Sequence, residues 1–383
     1  MHDTRDYTTF RVLDSVPRIA AEHMALDKVI IELHSRGETP NTLRFLQFKP
    51  CALVGLHQNT YLEVNVPYCR QNGIDINRRI TGGGSLYWGP FELGWEMYAS
   101  KKTPGIPRKV ENMYRLLCEA MVHGLDKLGL KAAAYRPVND IELNGRKLSG
   151  TGGAELADSF VFQCSLLVDF NVDEMLKVLR LPVEKLGDKD VKSMRDRVTC
   201  LREQLGYVPD QRLIKQAILG GLRETLDYEF FTGELSLPEM QLLVQYLPEF
   251  QSEDWIFGRV GNVVNTIDSV VSYKAPGGLI RVQMRLDETI RTIKYVIISG
   301  DFFAYPARVI NDLENALKNT PIDKARIVST IDSFFLAGQA EIPGVMPEHF
   351  VSAVLLAIDQ AKKELATVPL ITPEVYYETR KTI

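Results

Sequence analysis

Apolar positions along the first half of the chain switch between a helical and a strand period. Between Asp14 and Gly37, residues Ile19, Leu26, Ile30 and Leu33 fall at helical spacing, which predicts a first helix. Asp14 or Ser15 can cap it, Pro17 suits its first turn, and Gly37 closes it. "TLRFLQFKPCALVGLHQ" then predicts two short strands broken at Lys49-Pro50, and "EVNVPYCRQNG" a short helix ending at Gly73. "IDINRRI" reads as a strand entering a run of glycines, "GSLYW" as the strand leaving it, and "ELGWEMYAS" as the next. "KVENMYRLLCEAMVHGLDKLGL" is an amphipathic helix with Met113, Leu116, Leu117, Ala120, Met121 and Leu125 on one face. "AAYRPVNDIELNGRKLSGTGGAEL" reads strand, turn, strand about Asn144-Gly145, a strong hairpin signal. "SFVFQCSLLVDF" is one more strand, and "NVDEMLKVLRL" opens a helix.

The second half is more irregular. From about Pro182 to Tyr207 the text is charged and reads as a loop with a short helix. "PDQRLIKQAILGGLRETLDY" and "SLPEMQLLVQYL" are helices, and a boundary falls near "PEFQSEDWIFGRVGN". Beyond it strands precede helices, the order of a small α+β unit, so the expected domains are 1–252 and 253–383. A chain of 383 residues, 45% hydrophobic and 25% charged, suits two soluble domains. A net charge of −4 gives no broad basic footprint, so no nucleic-acid partner is expected. The five cysteines (Cys51, Cys69, Cys118, Cys164, Cys200) lack Cys-x-x-Cys spacing, which argues for a reducing compartment and against zinc. "MHDTRDYTTF" has no apolar signal core and no run approaches a membrane span, so the expectation is a cytoplasmic protein with no membrane partner.

Two segments carry candidate chemistry. In "RRITGGGSLYW", Gly82, Gly83 and Gly84 allow positive φ and close approach to a ligand, or simply a glycine-rich turn. Arg78 and Arg79 precede them, and neighbouring strand residues face opposite ways, so only one is expected to face the glycine loop. In "VNDIELNGRKLSGTGG", Lys147 follows a hairpin turn and precedes a second glycine-rich run, placed to neutralise a phosphate or carboxylate. Neither segment has P-loop spacing or a dinucleotide-binding fingerprint. Together they suggest a site for an anionic, nucleotide-like ligand, with Asn139 and Asp140 as a ribose or metal contact or as a strand-initiating turn.

These segments also carry a family resemblance. "RRITGGGSLYW" resembles the R-R-x-[ST]-G-G-G-A-V-[FY]-H loop of lipoate–protein ligases, and "NDIELNGRKLSG" that family's segment around its central lysine. "KSMRDRVTCL", "WIFGRVGN" and "GDFF" are similar to further stretches of these ligases, in the same order. The chain departs from the pattern at Trp88-Gly89, where a histidine is usual, and "WGPFEL" leans toward the octanoyltransferases, a sister family. The resemblance implies an α/β (α+β) fold, with a mixed central sheet flanked by helices and a small C-terminal α+β domain.

It further implies ATP-dependent joining of lipoate to a lysine of a lipoyl-carrier protein, through lipoyl-AMP, with ATP and Mg²⁺ required. The carrier would be a 2-oxoacid dehydrogenase E2 domain or a glycine-cleavage H-like protein. By resemblance Lys147 is catalytic, Arg79 lies against the ligand, and Thr81, Gly82, Gly83, Gly84 and Ser85 line it. Leu86 and Tyr87 would wall the dithiolane tail. Ser149, Gly150 and Thr151 would complete the adenylate cradle, with Asn139 and Asp140 toward nucleotide or Mg²⁺ and Ser165 facing the site. The rivals are an ATP-independent acyltransferase using Cys164, a biotin ligase, ranked lower for want of "GRGRRGR"-type text, and a non-catalytic lipoyl- or nucleotide-binding regulator.

Overall fold

The computed structural model describes residues 8–137, 139–180, 195–258, 269–287, 291–338 and 340–367. Parts of two stretches singled out above, 192–194 and 259–262, lie outside them. Two compact units result. The first takes Met1–Gly261 together with Gly300–Val309 and Ala340–Gly344; the second takes Asn262–Ser299, Ile310–Gln339 and Val345–Ile383. Residues 253–261, Gly300–Val309 and Ala340–Gly344 are thus grouped with the first unit, where a single cut at 252/253 would not put them.

In chain order the first unit holds β1 (Thr9–Asp14), α1 (Ala20–Ser35), β2 (Thr42–Leu46), β3 (Cys51–Val54), α2 (Thr60–Glu63), α3 (Val66–Gln71), β4 (Asp75–Arg78), β5 (Leu86–Trp88) and β6 (Leu93–Ser100). It continues with α4 (Val110–Lys127), β7 (Ala133–Arg136), β8 (Asp140–Leu143), β9 (Arg146–Leu156), β10 (Ser159–Leu166) and α5 (Val172–Val178). Then come α6 (Leu201–Leu205), α7 (Gln211–Leu226), β11 (Glu229–Thr232), α8 (Leu237–Phe250) and α9 (Glu253–Phe257). An eight-stranded mixed sheet runs β11-β1-β2-β6-β10-β9-β8-β7, and a small sheet runs β4-β3-β5.

Period two along the central strands divides the large sheet's faces. Leu93, Trp95, Met97 and Ala99 of β6, with Phe160, Phe162, Cys164 and Leu166 of β10, join the apolar residues of α4 and α7 in one core. The alternate residues Tyr98 and Val161 pack instead with Ile30 and Ile31 of α1. Helices therefore cover both faces. The second unit has β12 (Ser269–Ala275), β13 (Gly278–Asp287) and β14 (Thr292–Gly300) in one sheet, with α10 (Val309–Leu317), α11 (Lys324–Ala337) and α12 (Pro347–Thr367).

The first helix begins later than its cap signals predict. It starts at Ala20, with Ile19 at the N-cap position and no side-chain cap. Residues before it extend the sheet instead: Ser15 N–H donates to Phe45 O at 3.0 Å, and Arg18 N–H to Gln47 O at 3.1 Å. That pairing holds the stretch extended, so Asp14 ends β1 and Pro17 precedes the helix. β1 itself, and its parallel partner β11 at the sheet edge, are not evident from the periodicity.

α4 and α7 cross at bare backbone. A Cβ on Gly221 would sit 2.2 Å from Ala120 O and 2.5 Å from Gly124 N. Gly221→Ala must spread the two helices over the main core, at a cost of about 1–3 kcal/mol. The expected result is a lower urea midpoint with an unchanged m value.

Candidate active site

The glycine loop is built around Arg79. Its N–H donates to Val54 O at 2.9 Å, which continues the β3–β4 ladder by one residue. The side chain then turns under the loop. Nη2 donates to Gly82 O at 3.1 Å and Gly84 O at 2.9 Å, Nη1 to Leu53 O at 3.1 Å, and Nε to Thr81 Oγ1 at 3.3 Å. None of these acceptors is charged. Burial pulls the guanidinium down to about 10, against the raising effect of nearby Asp27, so it stays cationic at neutral pH. Arg78 goes elsewhere, to the carbonyls of Gly55, Gln58 and Ile256 among others, and ties the loop's approach to α9. The expectation that one arginine serves the loop holds, and it is Arg79.

The loop is pinned from its other side by "GDFF". Gly83 has φ +92°, accessible to glycine at little cost, and its N–H donates to Phe302 O at 3.2 Å. A Cβ on Gly82 would lie 2.8 Å from that same oxygen. Ser85 Oγ donates to Gln58 Oε1 at 2.7 Å.

Lys147 lies opposite, near the start of β9. Its backbone is clamped on its second side: Lys147 N–H donates to Arg197 O and Thr199 N–H donates to Lys147 O, both at 2.8 Å. "RVT" of the third resembling stretch is thus a one-residue parallel strand bracing the lysine. The ammonium is 2.7 Å from Asp140 Oδ1. It reaches over Gly150, where an added Cβ would stand 3.1 Å from both Nζ and Cε. Gly150 and Gly152 pair with Ser165 and Gln163 across β9–β10, so one face of β9 is bare beneath the lysine. Ser165 Oγ accepts from Gly150 N–H at 3.3 Å and donates to Gly150 O at 3.1 Å.

Period two also bears on two expected contacts. Ser149 and Thr151 pair with Leu166 and Cys164, residues of the helix-side core. Ser149 Oγ lies 3.1 Å from Cys164 Sγ, and Thr151 Oγ1 donates to Asn139 O at 2.8 Å. The Ser149 side chain turns away from the bare face, whereas Thr151 borders the cavity and fixes Asn139, whose Nδ2 returns a bond to Thr151 O at 3.0 Å.

Between loop and lysine lies a cavity of about 340 Å³. Arg79, Gly82, Gly83, Gly84, Ser85, Leu86, Tyr87, Asn139, Lys147, Gly150, Thr151 and Ser165 line it; Thr81, Asp140 and Ser149 do not. The rest of its wall is largely apolar, from Leu46, Phe48, Leu53, Trp88, Phe170 and Met175. Trp88 packs on Phe48 with ring centroids 4.7 Å apart. The arrangement can take an amphipathic acid, its tail among the apolar residues and its anionic end between two cations.

Among the lining residues that escape the sequence reading, Phe303, Gln163 and Glu92 stand out. Phe303 comes from the distant "GDFF". Gln163 is the one strongly polar residue in an otherwise apolar strand, a signal that was available. Glu92 is a buried carboxyl that burial raises to about 7, opposed by backbone N–H groups of its own turn. Its folded pKa exceeds the ordinary 4.5, so the folded chain holds the proton more tightly than the unfolded one. The stability this gives is present below about 4.5 and is lost as pH rises to about 7. The loss is on the order of 3 kcal/mol. Glu92→Gln should flatten that part of the stability–pH curve in denaturant titrations between about pH 5 and 8. Parallel curves for the two proteins would refute this account of Glu92.

Comparison with known proteins agrees with the geometry. The chain is 27% identical to an octanoyltransferase LipM of Kyrpidia tusciae, over 64% of this chain and 98% of the relative. It superposes on the bipartite lipoate protein ligase of Thermoplasma acidophilum with TM-score 0.58 and 26% identity, covering 65% of this chain and 96% of the other; that structure was described with its E2 lipoyl domain. A likeness of fold alone extends further: LipL1 of P. falciparum matches with TM-score 0.70 at 14% identity, over 92% of this chain and 99% of that one. The lipoyl protein ligase A/B catalytic domain matches residues 20–223 as a family. This chain, with its mixed sheet flanked by helices, its glycine loop over a buried arginine and its braced lysine, is thus an enzyme that belongs to the lipoyl protein ligase A/B family.

Proposed function

We propose that this chain joins lipoate to a lysine of a lipoyl-carrier domain at the expense of ATP. The observation that carries this reading is the placement of Lys147 over the bare face of β9, across a largely apolar cavity from the buried guanidinium of Arg79, whose contacting oxygens are all neutral. Lipoate's carboxylate attacks the α-phosphate, giving lipoyl-AMP and pyrophosphate; the carrier's lysine then attacks the anhydride and releases AMP. The carboxylate is already ionised at neutral pH, so the first step needs charge stabilisation more than a base.

Lys147 would bridge carboxylate and phosphate oxygens, and Arg79 would hold negative charge through the loop it supports. The bare backbone at Gly150 and Gly152 gives the adenylate room to lie against the sheet. Leu86 and Tyr87 would wall the tail, with Ser85 and Asn139 at the polar end. Mg²⁺ delivered with ATP would neutralise phosphate charge. Among the described residues no group of three His, Cys, Asp or Glu is arranged to hold a metal. Such ions lean on phosphates, waters and one or two carboxylates, and Asp140 is the carboxylate beside Lys147 that fits this part. The carrier would be an E2-type or H-type lipoyl domain, a reading supported by the archaeal neighbour described with its E2 domain. No helix of the described residues is long and apolar enough to cross a membrane.

The octanoyltransferase relatives favour a second reading, ATP-independent transfer through Cys164. Cys164 borders the cavity, but it packs into the helix-side core and burial raises its thiol to about 12. A nucleophile needs the thiolate, so these features weigh toward the first reading. The test supplies lipoate, ATP and Mg²⁺, follows pyrophosphate, and weighs intact carrier domains. Lys147→Ala should slow pyrophosphate release by about 10²–10³, while Cys164→Ala should still modify the carrier. Acyl transfer without ATP that vanishes in Cys164→Ala would install the second reading instead.

A further inference from the structure

The cavity's glycine loop is linked to a buried ion cluster on the α1 side of the sheet. Arg44 pairs there with Asp27 and with Glu96, its Nε donating to Glu96 Oε2 at 2.8 Å. Tyr98 OH donates to the same Glu96 oxygen at 2.8 Å. Gln163 joins the cluster from β10, on the face opposite Cys164. Its Nε2 donates to Glu96 Oε1 at 2.7 Å and to Asp27 Oδ2 at 2.9 Å. Its Oε1 accepts from Thr81 Oγ1 at 2.8 Å, and Thr81 Oγ1 accepts in turn from Arg79 Nε.

We infer that Gln163 is a positioning residue for the glycine loop, and that the Arg44–Asp27–Glu96 cluster sets the direction in which it acts. The amide is held in this orientation, because a flip would set its carbonyl against the Glu96 oxygen that Nε2 now serves. With the amide fixed, the Thr81 proton is committed to Gln163 and its lone pair faces Arg79. Arg79 then holds the inward carbonyls of Gly82 and Gly84. Every link has one donor and one acceptor, so the polarity of the chain runs from the cluster to the loop. Asp27, Glu96, Thr81 and Arg79 are all buried, so water is a poor substitute for a missing link.

The kinetic side of this inference rests on the ligation reading above; the structural side does not. Gln163→Met keeps length and removes both polar ends. Thr81→Val cuts the same chain nearer the loop and leaves the ion cluster whole, which covers the case of a Gln163 variant that fails to fold. Amide hydrogen exchange at Gly82–Ser85 should quicken about tenfold in each variant. The double variant should lose no more than the worse single one, because both break one chain. Thr81→Ser, which keeps the hydroxyl, should restore protection. In kinetics each loss should fall on pyrophosphate release, with KM for the carrier domain unchanged. Normal exchange and normal pyrophosphate release in both variants would overturn the inference, as would additive losses in the double variant. Faster exchange in both variants, together with a wild-type protein that releases no pyrophosphate, would sustain the positioning role and remove the ligation reading alone.

Discussion

A cation withdrawn from water must be solvated by the protein, and Arg79 takes that solvation from the loop it sits beneath. Its bonds to the carbonyls of Gly82 and Gly84 fold the triplet inward, and Phe302 closes the other side. The triplet is therefore a shell around a charge rather than a slack turn. An arginine neutralised by a carboxylate in direct contact would have less field to offer a ligand. Here the contacting oxygens are neutral, and the charge remains available to the cavity.

Lys147 is held by a different economy. Backbone on both sides fixes its strand position, with β8 on one flank and Arg197–Thr199 on the other. The ammonium stays partly exposed, paired with Asp140. One cation is buried among backbone carbonyls, the other anchored at its root and open to solvent at its tip. That contrast suits a site where one charge receives a ligand and the other follows reacting atoms.

Much of this was legible in the text, for identifiable reasons. The glycine triplet, the Asn144-Gly145 turn, Lys147 and the order of the strands all follow from local chemistry, and local chemistry is what a single sequence records. The helix start was misread because pairing between residues 15–18 and β2 overrides the cap signals. Ser149 faces away from the cavity because its facing depends on register with β10, interrupted on the β8 side by a bulge. Gln163 could have been suspected as a polar residue in an apolar strand, but its partners come from α1, β6 and the glycine loop. Only the fold brings together residues as far apart as Asp27 and Gln163.

The route of the chain past residue 261 has its own consequence. After β14 it returns to the first unit for Gly300–Val309, and again for Ala340–Gly344. The oxygen that receives Gly83's N–H is thus encoded some 220 residues after the loop it completes, with the strands of another unit translated in between. A ribosome that has released every strand of the large sheet has still not finished the wall of the cavity. The glycine loop reaches its final form only when the later text emerges, so maturation of the site follows synthesis of the second unit's sheet.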